Sequence, residues 1–101
     1  MYRTILVPVD RSQRARSAVD AAVHIAAASQ GRVTLLHVVE IIKDTTYDEF
    51  RDFYDSLADL ALAEMEELRA PHHDAAVSVD VEVVFGSRVK EVLRIAEERG
   101  F

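Results

Sequence analysis

The 101-residue chain is short enough for one domain at most, and half of its residues are apolar, which is enough to build a core. The absence of cysteine excludes a disulfide framework, a thiolate zinc site and a cysteine nucleophile. A net charge of -6 argues against a nucleic-acid partner, no apolar run approaches the ~18 residues of a membrane span, and the opening Met1-Tyr2-Arg3-Thr4-Ile5 lacks the order of a signal peptide, so a cytoplasmic protein without a membrane partner is expected.

Residues 4–9 (Thr-Ile-Leu-Val-Pro-Val) form a nearly continuous apolar run, the pattern of a strand buried on both faces in a parallel sheet. Pro8 has no N–H and is placed near the strand's C-terminal end. Ser12 is favoured as the N-cap of a first helix over residues 13–30, whose stripe is Ala15, Ala18, Val19, Ala22 and Ala26. Gly31 stands where a left-handed C-terminal cap is wanted. Residues 33–39 (Val-Thr-Leu-Leu-His-Val-Val) read as a second buried strand.

After a loop over residues 40–45, Thr46 and Glu49 have capping-box spacing. A long helix follows, with a predicted buried stripe of Phe50, Phe53, Tyr54, Leu57, Leu60, Ala61 and Leu68, and Pro71 should end it. Residues 77–85 alternate Val77, Val79, Val81 and Val83 with Ser78, Asp80 and Glu82, which suits an edge strand. Gly86 breaks the run and Ser87 can cap a third helix, with stripe Val89, Val92, Leu93 and Ala96 and Gly100 as its C-cap. The order β-α-β-α-β-α predicts an α/β fold with an open parallel sheet and helices on both faces. Ligands of such sheets bind beyond the C-terminal strand ends, here residues 8–12, 38–40 and 85–87.

The three glycines, at 31, 86 and 100, make neither a P-loop nor a dinucleotide fingerprint, and there is no G-x-S-x-G elbow. Asp10, directly after the first strand, has two readings: it accepts hydrogen bonds from a ligand's ribose or amine groups, or it caps the following turn. His37, alone among aliphatics, is read first as a histidine satisfied by a neighbouring backbone group and second as a base near the cleft. His24 is assigned a solvated pair with Asp20 one turn earlier. A metal site at His72-His73-Asp74 is not favoured, because adjacent residues at a helix end share no face. Asp48, Asp52, Asp55 and Asp59 line one helical face, read as solvated rather than as a docking surface.

These residues resemble the universal stress protein family. Thr4-Ile5-Leu6-Val7-Pro8-Val9-Asp10-Arg11-Ser12 is similar to its opening strand and Asp-x-Ser turn, Leu35-Leu36-His37-Val38 to its second strand, and Val84-Phe85-Gly86 with Ile95-Ala96-Glu97 and Gly100 to its third strand and helix. The resemblance runs the whole chain in order and implies the adenine-nucleotide alpha-hydrolase-like arrangement, strand order 3-2-1-4-5. It implies a single domain over residues 1–101 lacking the β4-α4-β5 part, since the sequence stops at Gly100-Phe101, where the fourth strand would begin. It further implies stress-response binding of ATP or AMP, with adenine and ribose contacts at Pro8, Val9, Asp10 and Val38, and at most weak ATP hydrolysis. The G-x2-G-x9-G-[ST] stretch that holds phosphates in the family is not in this chain. A homo-oligomer formed through an exposed first strand is expected. The alternative is a non-nucleotide interaction or dimerisation module, or a fragment without ligand.

Overall fold

The computed structural model describes residues 4–73 and 76–101. Its elements are β1 (Thr4–Pro8), α1 (Arg14–Ala27), β2 (Arg32–Glu40), a 3-10 turn (Asp48–Phe50), α2 (Arg51–Arg69), a second 3-10 turn (Ala70–His72), β3 (Ser78–Gly86) and α3 (Arg88–Arg99). The three strands are parallel in the order β1-β2-β3. The α/β class, the element order and the edge position of β3 are as the residue pattern predicts.

Side chains alternate across a strand, so each strand serves two cores. Val7, Val9, Val33 and Leu35 join Val19, Val23 and Ala26 of α1 and Met65 of α2 on one face. Leu36 and Val38 join Ile95 of α3 on the other, with Leu6, Val84, Val92 and Phe101 packed around them. Two crossovers in the same direction put α1 and α2 on the first face, and α3 crosses to the second.

Local details correct several expectations. Ser12 is not the cap of α1: Gln13 takes the N-cap position, without a side-chain cap bond. The left-handed residue after α1 is Gln30 (φ 54°), while Gly31 returns its N–H to the Ala26 carbonyl at 2.7 Å. The Thr46–Glu49 box forms, but it opens the 3-10 turn ahead of α2. The buried face of α2 is Tyr54, Ala58, Ala61 and Met65, and Phe50, Phe53 and Leu60 are exposed. Small alanines let the helix approach the sheet, whereas the two phenylalanines pack edge-on against Tyr54 from outside. In α3 only Ile95 is buried, and Val89 and Leu93 lie open. Ser87 occupies the N-cap of α3 without a side-chain bond, and Gly100 is its left-handed C-cap (φ 72°). Asp20 bonds His72 Nε2 at 2.9 Å, so its partner lies on another element and not one turn away at His24. Asp74 of the His72-His73-Asp74 group, which was not favoured as a metal site, lies outside the described residues. Among those described, no group of three His, Asp or Glu side chains is placed to hold a metal ion, and no helix is long and apolar enough to cross a membrane.

Candidate functional site

The site is built where β1 leaves the sheet. Pro8 is the last strand residue and pairs with Leu36. The ladder continues for one more bond, Val9 N–H to the Leu36 carbonyl at 2.8 Å. The next acceptor, the Val9 carbonyl, takes a bond from the His37 ring at Nδ1, 2.7 Å away. His37 is thus the backbone-satisfied histidine favoured from its context, and it anchors the point where β1 and β2 part.

The chain then turns sharply. Asp10 Oδ1 accepts the Ser12 N–H at 3.0 Å, closing an Asx turn around Arg11, which holds a left-handed φ of 68°. A non-glycine residue pays strain in that region, and the turn is held from both sides. Asp10 supplies the inner bond, and the Arg11 side chain lies against Glu64 of α2, its Nε 2.9 Å from Oε2 and 3.1 Å from Oε1. The capping reading of Asp10 is therefore realised, and the carboxylate still faces solvent. The Ser12 hydroxyl and then the Ser12 N–H hold its carboxyl below the ordinary carboxylate range, and the Arg88 guanidinium acts in the same direction.

The neighbouring strand ends complete the edge. Val9 and Val38 are buried, whereas Pro8 and Asp10 are exposed. Ile41 N–H donates to the Gly86 carbonyl at 3.1 Å, tying the end of β2 to the end of β3. Gly86 has φ 148°, and a Cβ there would sit 3.1 Å from Glu91 Cγ. Arg88, the first residue of α3, reaches Glu40 at 3.4 Å. Beyond β2 the loop is fastened by Tyr54, whose buried hydroxyl accepts the Ile42 N–H at 2.9 Å.

The edge thus offers an exposed proline ring, an ionised carboxylate and flanking arginines, each arginine already matched to a carboxylate. Such a surface can accept hydrogen bonds from hydroxyl or amine groups and pack a flat ring. Glu40 lies within the strand-end span 38–40 read from the sequence, whereas Arg88 and Tyr54 were not singled out for this edge. The position of Arg88 directly after Gly86-Ser87 was the available signal, whereas the partner of Tyr54 depends on a tertiary contact.

Comparison with known families decides what kind of chain this is. The universal stress protein family matches residues 1–101. The chain belongs to that family. Its fold is similar to that of universal stress protein UspA from Lactobacillus plantarum, with TM-score 0.86 and 27% identity, covering 98% of this chain and 71% of that one. It is also similar to the protein MJ0577, with TM-score 0.82 and 29% identity over 99% of this chain and 70% of that one. A third solved universal stress protein, in complex with cAMP, has TM-score 0.69 and 23% identity over 98% of this chain and 71% of that one. The comparison with curated proteins returned no match.

Proposed function

We propose that this universal stress protein binds adenine nucleotides at the C-terminal edge of its sheet and acts by binding rather than by catalysis. Pro8 packs against the base, the Asp10 carboxylate accepts hydrogen bonds from the ribose, and Val9 and Val38 form the wall beneath. The observation that carries the reading is the Asx turn: it holds Asp10 exposed and ionised at the point where β1 and β2 diverge. The fold neighbour solved with cAMP supports the choice of probe.

The chain contains no G-x2-G-x9-G-[ST] stretch, and Arg11 and Arg88 are each matched to a carboxylate. The proposed contacts are all to the adenosine part, which ATP, AMP and cAMP share. Isothermal titration of the full chain with each nucleotide tests this. The expected result is binding by all three within about threefold. Asp10→Asn keeps an acceptor for the Ser12 N–H but loses the charge, and weakens binding about tenfold, the order of one charge-assisted hydrogen bond. No heat with any nucleotide at millimolar concentration would overturn the reading.

A further inference from the structure

The outer flank of α2 carries an apolar stripe that neither the core nor the candidate site uses. Phe53, Leu57 and Leu60 follow one another at spacings of four and three, which puts them on one side of the helix. Phe50, three residues earlier, extends the same rhythm into the preceding turn. Phe53 is 53% exposed, Phe50 45% and Leu60 43%, and Leu57 is half-buried. The fully buried Tyr54 ring fills the space between helix and sheet and meets both phenylalanines edge-on, at 5.4 and 6.4 Å, which fixes them on the outside. On the inward side of the helix, Tyr54 and Ala58 pack with Val39, Val83 and Phe85, in the half of the sheet formed by β2 and β3. In the family order 3-2-1-4-5 further strands join beyond β1, and α1 lies between them and α2. The exposure of this flank therefore does not depend on what joins the sheet beyond β1.

Charge selects the occupant. Residues 52–68 contain six carboxylates and no lysine or arginine. Glu64 is matched to Arg11 and Glu66 to Arg69. Asp52, Asp59 and Glu67 enter no ion pair among the described residues. Asp52 and Asp59, read from the sequence as part of a solvated face, stand one residue before Phe53 and Leu60. The acidic pair thus repeats at the same interval of seven and borders the exposed stripe. A second copy presenting the same flank would bring carboxylates onto carboxylates in either orientation. Nucleic acid and an anionic lipid surface are repelled in the same way. An apolar seam with an acidic border is complementary to a helix with apolar side chains at spacings of three and four and basic ones beside them.

We propose that the outer flank of α2 is a docking site for a basic amphipathic helix of a partner protein. The apolar side chains of that helix pack between Phe53 and Leu60, which lie about 10 Å apart along the axis, two helical turns. Its lysine or arginine side chains reach Asp52 and Asp59.

Fluorescence anisotropy with a labelled synthetic helix of about 14 leucine and lysine residues, leucine at heptad spacing, tests the proposal. A peptide of the same composition with its leucines scattered around the helix is the control. The patterned peptide binds, and the scattered one binds about tenfold more weakly. Phe53→Ser and Leu60→Ser, at exposed positions and checked for folding by circular dichroism, each weaken binding about fivefold. Asp52→Asn combined with Asp59→Asn weakens it several-fold at low salt and flattens its salt dependence. Equal binding of the two peptides overturns the proposal, as does binding indifferent to both apolar substitutions. A wild-type dimer in sedimentation velocity that Phe53→Ser dissolves assigns the flank to a second copy and overturns it too. None of these readouts involves nucleotide, so failure here is separate from failure of the nucleotide reading.

Discussion

The two faces of the sheet are built to different standards. On one, α1 and α2 lie side by side, and Val19, Ala26, Val33, Leu35 and Met65 are fully sealed. On the other, α3 stands alone over Leu36 and Val38, with Ile95 as its single buried residue, and Val89 and Leu93 of the same helix open to solvent. The helix on that second face still holds its place, through different means. Its C-terminal end is pinned by Arg99, which makes two bonds to Glu82 of β3 at 2.7 and 2.6 Å. Its first residue reaches Glu40. The difference teaches that one face supplies stability by close packing, while the other leaves apolar surface and strand edge accessible.

The largest expected effect tests that division directly. Met65→Ala empties a fully buried site between helix and sheet and should cost about 2–5 kcal/mol of folding stability. Leu93→Ala removes a side chain of similar size from the open face and should change the stability of the monomer by less than about 0.5 kcal/mol. Urea unfolding of both variants at low concentration gives the comparison. Similar losses in the two would mean that α3 is as tightly sealed as α2, and the proposed asymmetry would be wrong.

The same asymmetry explains what could be read from the sequence. The strands were legible because continuous runs such as Thr-Ile-Leu-Val-Pro-Val leave little choice of face, and His37 was legible because an isolated imidazole in such a run needs a backbone partner. The placement of Pro8 and Asp10 at the sheet edge followed from chain order alone. The buried stripes of α2 and α3 were read correctly only in part: Tyr54 and Ala61 are buried and Leu57, Leu68 and Val92 pack against the cores, but Phe50, Phe53, Leu60, Val89 and Leu93 are exposed. In α2 the helix approaches the sheet through Ala58 and Ala61, while Phe50 and Phe53 pack on Tyr54 from outside. In α3 nothing among the described residues covers Val89 and Leu93, so helical periodicity gave no clue that they stay exposed. Pairings across more than fifty residues, Arg11 with Glu64 and Asp20 with His72, exist only once the elements pack.

A smaller effect concerns the loop that follows β2 at the candidate site. Tyr54 is fully buried, and its hydroxyl holds the Ile42 N–H and lies 3.4 Å from Thr45 Oγ1. Tyr54→Phe keeps the ring packing against Tyr47 and Phe53 and removes only that anchor. The expected cost is about 1 kcal/mol, the net worth of one hydrogen bond, with faster amide exchange at Ile42. Unchanged exchange at Ile42 would show that the loop is held by its own turn, Thr45 N–H to the Ile42 carbonyl, without the tyrosine.

The smallest effect lies in the pin that holds α3. The side-chain hydrogen bonds from Arg99 hold the Glu82 carboxyl below its ordinary value of 4.5. A carboxyl whose folded pKa is depressed binds its proton more readily in the unfolded chain. Its contribution is therefore fully present above about pH 4.5 and fades as pH falls below that value toward the folded pKa. Because Glu82 and Arg99 remain partly exposed, solvent screening keeps the contribution below about 1 kcal/mol. Glu82→Gln should thus lower stability slightly at pH 7 and flatten the decline between pH 5 and about pH 3. Melting temperatures of the two proteins across that range should converge as the pH falls. If they stay parallel instead, the Arg99–Glu82 pair contributes nothing through charge, and α3 is held on its face by the packing of Ile95, Val92 and Phe101 and by Arg88 on Glu40.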